Sequence, residues 1–176
     1  GFARRATAYK RANMIFTDPE RLLALGDGKL QLVYAGKAHP NDEKGKQLIQ
    51  EIRSQAAFFG DRIKIVYLPN YNIDVASRLI PGVDIWLNNP LRPLEASGTS
   101  GMKAALNGVP NFSVLDGWWI EGHIEGVTGW AIGPPPTETS TDVSSSNEDV
   151  EDLYEKLEAV ILPLYYGDRT GWMHQF

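Results

Sequence analysis

Three β-rich runs separated by two amphipathic helical runs, joined by short connections, leave this chain few folds to choose from. Residues 29–35 (Lys-Leu-Gln-Leu-Val-Tyr-Ala), 62–68 (Arg-Ile-Lys-Ile-Val-Tyr-Leu) and 83–87 (Val-Asp-Ile-Trp-Leu) read as strands. Between the first two, Asn41 is the expected cap of a helix reaching about Phe59, with Leu48, Ile49, Ile52 and Ala56 on one face. Between the second and third, a helix over 73–80 stops at Pro81-Gly82. Strands that alternate with helices in this way pair in parallel, with right-handed crossovers, which makes the fold class α/β. Further strands are predicted over 109–115 and 129–133. A last helix over 148–166 would turn Val150, Leu153, Leu157, Val160 and Ile161 inward. Upstream, a strand tail at 1–3 precedes helix from Thr7 or Ala8 through Phe16 and again over 20–25. Residues 134–147, rich in Pro, Ser and Thr, read as a mobile surface loop. With no internal repeat and no linker, 1–176 reads as one domain.

In such sheets ligands sit beyond the carboxyl ends of the strands. The segments expected there are Gly36-Lys37-Ala38-His39, Asn70-Tyr71 and residues 88–103, and together they should line one crevice. The last of them ends in Glu95-Ala96-Ser97-Gly98-Thr99-Ser100-Gly101-Met102-Lys103. An acid, a small-residue turn and a lysine follow a strand, and a helical run over 102–106 closes at Asn107-Gly108. A strand, a small loop and a helix start form an anion grip, because backbone N–H groups and partial positive charge converge there.

Composition narrows the ligand. The net charge is −5, so general attraction to nucleic acid or to an anionic membrane is excluded. An anion site must be a local cluster, and Arg4, Arg5, Lys10 and Arg11 supply one. Spacing alone also allows that cluster to be a solvated face. There is no cysteine, which excludes disulfides and thiol catalysis and is compatible with the cytoplasm. No apolar run reaches membrane-spanning length. His39, His123 and His174 lack metal-ligand spacing, so no metal is expected. Trp118-Trp119 fits either the core or a sugar-stacking surface. Lys103 fits either a snorkelling surface residue or an amine beside an apolar pocket. Glu95 fits either a solvated acid or an acceptor for sugar hydroxyls. The chain opens at Gly1, inside patterned sequence, and closes at Phe176 without a polar tail. We therefore expect a piece of a longer protein.

The run from Glu95 to Lys103, continued by Ala104-Ala105-Leu106-Asn107-Gly108, resembles the pyridoxal-phosphate segment of the α-glucan (glycogen, starch, maltodextrin) phosphorylases. Gly1-Phe2-Ala3-Arg4-Arg5, Tyr9-Lys10-Arg11, Gly36-Lys37-Ala38 and Asn70-Tyr71 fall in matching order, so the likeness runs at least from Gly1 to about Gly122. The forms Thr99-Ser100-Gly101-Met102-Lys103 and Asp116-Gly117-Trp118-Trp119 look closer to the bacterial and archaeal branch than to the animal enzymes.

The resemblance implies the second, C-terminal Rossmann-like half of a two-domain GT-B glycosyltransferase, with helices on both faces of its sheet. It implies that Lys103 carries pyridoxal 5'-phosphate as a Schiff base. The backbone of Thr99 and Ser100, with Arg4, would bind the cofactor's phosphate, and Tyr71 would pack beside it. Arg5 and Lys10 would bind inorganic phosphate or the phosphate of glucose 1-phosphate. Glu95, Ser97 and Gly98 would hold hydroxyls of the glucosyl unit of the α-glucan. Arg5, Lys10 and Lys103 are then the catalytic set. The missing N-terminal domain would complete the site, so the fragment alone is expected to be inactive, and a homo-oligomeric parent stays open. Two other readings fit the crevice: a sugar-nucleotide-dependent enzyme of the same architecture, and a non-catalytic sugar- or anion-binding module.

Overall fold

A computed structural model of the chain describes residues 1–136 and 144–176. In chain order its elements are β1 (Phe2–Ala3), α1 (Pro19–Gly26), β2 (Gln31–Ala35), α2 (Glu43–Phe59), β3 (Lys64–Leu68), α3 (Ile73–Leu79) and β4 (Trp86–Asn88). They continue with α4 (Thr99–Leu106), β5 (Asn111–Val114), α5 (Trp119–Gly122), β6 (Gly129–Ile132), α6 (Ser144–Lys156), α7 (Leu162–Gly167) and α8 (Arg169–Gln175). β1-β2-β3 and β4-β5-β6 form two three-stranded sheets, and every pair in them is parallel. Their edges β1 and β4 meet. Gly1 N donates to Ile85 O at 2.8 Å and Leu87 N donates to Gly1 O at 2.9 Å, the pattern of a parallel pair. The spatial order across both sheets is therefore 3-2-1-4-5-6, with a reversal between β1 and β4.

Alternation along the strands divides the interior in two. Phe2, Tyr34, Ile65, Leu87, Phe112 and Ile132 point to one face, where they meet Leu22 of α1, Ile52 of α2 and Leu153 of α6. Ala3, Ala35 and Trp86 point to the other, against Leu79 of α3 and Ala104 of α4. Helices thus cover both faces, as the β-α alternation requires. In this second core the alanines Ala3, Ala35 and Ala104 surround the Trp86 ring, and α4 lies over β4 and β5.

The predicted helix over 7–16 is instead two 3-10 turns, Ala8–Lys10 and Met14–Phe16. Arg11 lies between them at φ 49°, a left-handed conformation that no helix continues through. Its side chain holds it there: Nε donates to Asn89 O at 2.8 Å and Nη2 to Pro90 O at 2.9 Å. Asp42, rather than Asn41, caps α2 by accepting from Gly45 N at 2.9 Å. Of the expected loop over 134–147, residues 137–143 lie outside the described residues, and 144–147 open α6. Val160, expected inside, is 41% exposed, while Ile161 is buried. A π turn over Leu157–Ile161, in which Leu162 N donates to Leu157 O, shifts the helical phase. Pro163 follows it and has no N–H to give to an α-helical ladder.

Candidate functional site

The crevice lies beyond the carboxyl ends of β1 and β4, where the strand order reverses. Arg4 directly follows β1. The segment after β4 carries Glu95 and leads into α4. Both residues are buried, as is Lys10. Arg4 Nη1 donates to Glu95 Oε2 at 2.9 Å, and Lys10 Nζ donates to the same oxygen. Arg4 Nη2 donates to Ser100 Oγ at 3.0 Å, which also accepts from Trp86 Nε1 at 3.3 Å. Burial lowers the Arg4 pKa below its ordinary value, and Glu95 opposes that shift. Tyr71 is half-buried. Its own burial raises its phenol, with the Arg4 charge acting against that rise, and its ring packs on the cluster that contains Ala3, next to Arg4 in the chain.

α4 begins three residues earlier than predicted. Thr99, Ser100 and Gly101 are weak helix formers, which hid the first turn. Tertiary bonds compensate, since Asn111 Nδ2 donates to Gly101 O at 3.1 Å and Ser100 is held by Arg4 and Trp86. Gly98, the N-cap, has φ 85°, a conformation that favours glycine, and no side chain caps the helix. Gly98 O takes the amides of Gly101 and Met102, whereas those of Thr99 and Ser100 make no hydrogen bond among the described residues. The far end matches the Asn107-Gly108 signal. Val109 N donates to Ala104 O at 3.0 Å and Gly108 N to Ala105 O at 3.1 Å, a Schellman closure.

Arg4, Lys10, Glu95 and Ser100 are therefore brought into one bonded cluster, with Tyr71 near it, Ser97 and Gly98 on the adjoining loop and Thr99 at the first position of α4. Two expected residues stand apart. Arg5 is exposed and has no ion pair among the described residues. Lys103 is also exposed, on the surface of α4 and not in an apolar pocket, one turn beyond Thr99. Trp119 is fully buried and belongs to the core, while Trp118 is half-buried against Gly98. His39 is exposed and accepts from Asn41 N at 3.2 Å, a local turn. His123 Nε2 lies 2.6 Å from Glu125 Oε2 on the far side of β6. Among the described residues no cluster of side chains suits a metal ion, and no helix is long and apolar enough to cross a membrane.

Two contributors were not legible in the sequence. Asp116, buried at the end of β5, accepts from Glu95 N at 2.9 Å. Asp149, from α6, accepts from Arg11 Nη2 and Arg92 Nη2, both at 2.7 Å. Arg11 follows Lys10, and Arg92 lies on the loop that carries Glu95, so this clamp ties the two sides of the crevice together. Such partners are far apart in the chain: the Asp116-Gly117-Trp118-Trp119 motif carries the first without revealing its bond to Glu95, and no short motif marks Asp149.

Fold and site define a parallel α/β domain with a buried cationic cluster at its topological switch point. The sequence pattern of the carbohydrate phosphorylase family matches residues 23–129. The chain is 45% identical to the maltodextrin phosphorylase of Thermococcus litoralis over 99% of its own length and 21% of that protein. It is 48% identical to the glycogen phosphorylase of Aquifex aeolicus over 94% of its length and 24% of the relative. The glycogen phosphorylase of Mycobacterium tuberculosis is 46% identical over 94% of the chain and 19% of that protein. The chain belongs to the carbohydrate phosphorylase family, and it spans about a fifth to a quarter of these relatives.

Glu95 is the only carboxylate bonded to Arg4 and Lys10 among the described residues. Glu95→Gln leaves two buried cations without a counter-charge, and should cost about 3 kcal/mol. An anion that binds the folded state restores stability by mass action. We expect inorganic phosphate to raise the melting temperature of Glu95→Gln by more than that of the unsubstituted chain, at equal ionic strength against chloride. A smaller phosphate effect in the variant would show that these cations are closed to anions.

Proposed function

We propose that this chain is the C-terminal, cofactor- and phosphate-binding domain of a GT-B α-1,4-glucan phosphorylase. The parent enzyme moves a terminal glucosyl unit of an α-glucan to inorganic phosphate and releases glucose 1-phosphate. The bond from glucosyl C1 to the glycosidic oxygen breaks, a bond from C1 to a phosphate oxygen forms, and the leaving oxygen takes a proton. The observation that carries the reading is the bond of Arg4 to Ser100 at the uncapped start of α4, with Arg4 and Lys10 sharing Glu95 just ahead of that helix and the Lys103 amine one turn further on.

The residues present fit pyridoxal phosphate. A phosphate dianion needs several donors and a counter-charge. The amides of Thr99 and Ser100, the Ser100 hydroxyl and the Arg4 guanidinium meet that need at one helix start. Lys103 offers the amine on the same helical face as Thr99. Pyridoxal phosphate, when bound, supplies a phosphate group that passes a proton toward the substrate phosphate. Around it, Arg5 and Lys10 hold the substrate phosphate and offset the repulsion between two neighbouring anions. Glu95, Ser97 and Gly98 orient glucosyl hydroxyls, and Tyr71 packs against the cofactor ring. The developing positive charge on the sugar is stabilised by the phosphates that these cations keep in place.

The relatives' greater length is compatible with the rest of this reading. In it, a second Rossmann-like half, N-terminal to this one, completes the sugar site and binds the glucan, and the enzyme works in the cytoplasm. The 176-residue chain by itself should therefore release no glucose 1-phosphate from maltodextrin and phosphate.

Titration with pyridoxal phosphate, followed by borohydride reduction and peptide mass spectrometry, tests the assignment. Labelling confined to Lys103 and abolished in Lys103→Ala supports it. Labelling scattered over exposed lysines at every concentration would overturn it.

A further inference from the structure

The motif Asp116-Gly117-Trp118 has no part in the reaction set out above, yet it is bonded along the whole length of the Glu95 loop. Asp116 Oδ2 accepts from Glu95 N at 2.9 Å, and Asp116 Oδ1 accepts from Gly117 N at 3.0 Å. Two residues on, Trp118 N donates to Ser97 O at 2.8 Å. Gly117 lies between these bonds at φ 58°, where a Cβ would stand 2.6 Å from Ser97 O and 3.1 Å from Glu95 O. A side chain there would push the loop off its support. The Trp118 indole then covers Gly98, where a Cβ would stand 3.1 Å from its Cδ1. The loop is thus held from behind by backbone, carboxylate and ring in turn.

We propose that Asp116-Gly117-Trp118 is a template that sets the conformation of the loop from Glu95 to Gly98, and that Asp116 is a positioning residue acting through Glu95. The Asp116 carboxylate is buried, and both of its oxygens are occupied by backbone N–H groups. Such charge-assisted bonds are stronger than neutral ones. Fixing Glu95 N fixes the direction of its Cα–Cβ bond, and hence the reach of its carboxylate to Arg4 and Lys10. The Ser97 end sets the entry to Gly98, the N-cap from which the amides of Thr99 and Ser100 are presented. Asp116 itself bonds to none of the proposed ligand-binding side chains, so its effect passes through the loop. The effect on ligand capture rests on the proposed function, whereas the template itself does not.

Amide hydrogen exchange by NMR on the 176-residue chain, its Asp116→Asn variant and its Gly117→Ala variant tests the template without any ligand. The near-isosteric Asn keeps the volume but removes the charge, and Gly117→Ala keeps the carboxylate while obstructing the loop. Expected is a rise of at least tenfold in exchange at both Glu95 and Trp118 in each variant, with Tyr34 of β2 unchanged. Exchange that rises at Glu95 alone, or at neither, would overturn the template. Should Asp116→Asn fail to fold, Gly117→Ala decides by the same criterion. In parallel, pyridoxal phosphate trapped on Lys103 by borohydride should fall about tenfold in both variants at a fixed subsaturating concentration. Unchanged trapping beside faster exchange would overturn the positioning role. If the unsubstituted chain traps nothing on Lys103, the functional reading fails and the exchange data still judge the template.

Discussion

The crevice depends on one carboxylate oxygen shared by two cations. Arg4 and Lys10 arrive on the segment that follows β1, and Glu95 arrives on the segment that follows β4. Those strands have two and three residues, and the bonds recorded across their junction are made by Gly1. So short a backbone contact leaves much of the alignment of the two segments to side chains. Burying three charges is costly, and a buried ion pair is weak evidence for stability in itself. Its consequence here is geometric. Two like charges cannot stay buried side by side without an anion between them. Glu95 fills that need internally and holds the two segments together.

A second layer of buried charge supports the first. Asp149 holds Arg11 and Arg92, which flank Lys10 and Glu95 in the chain, and Asp116 holds the Glu95 amide. All these contacts lie at the carboxyl ends of the strands, whereas the large apolar cluster lies between the sheet and α1, α2 and α6. The division follows from a parallel sheet. Its strands direct their side chains into two apolar layers, and polar residues can converge only where the strands end. The alanines Ala3, Ala35 and Ala104 around Trp86 have a functional consequence as well, because they let α4 approach closely enough for Ser100 to reach Trp86 and Arg4.

What could be read in the sequence was periodic or local. The β-α alternation over 29–87 has strong period-2 and period-3.6 patterns, and the elements appear within a few residues of their expected bounds. The end of α4 was legible because Asn107-Gly108 is a local signal, and its start was not, because Thr99, Ser100 and Gly101 are helical only by virtue of partners elsewhere. The segment over 7–16 misled for the opposite reason. Its composition suits a helix, but Arg11 is held in a left-handed conformation by Asn89 and Pro90, nearly eighty positions away. Val160 was placed inside by strict 3.6 periodicity, which the π turn ahead of Pro163 breaks. Arg4, Lys10, Glu95 and Ser100 were legible through a long motif and a basic cluster. Asp116 stood in a recognisable motif that did not reveal its bond to the Glu95 amide, and Asp149 had no mark at all, since a lone acid reads the same whether buried or solvated.

The cations expected at the crevice form two sets that differ in how their charge is satisfied. Arg4 and Lys10 are buried and neutralised by Glu95, whereas Arg5 and Lys103 are exposed and without an ion pair among the described residues. An exposed lysine keeps its full hydration, and enclosure is what makes an amine reactive toward an aldehyde near neutral pH. The described residues do not enclose Lys103, so on the proposed reading the enclosing groups are the cofactor ring and the opposite half of the enzyme. The same holds for Arg5, whose charge becomes directional only when a second wall excludes water. The inner pair would then be organised by this domain alone, and the outer pair would gain its chemistry on closure of the cleft. Anion capture at α4 and turnover of glucan thereby separate into properties of one domain and of two.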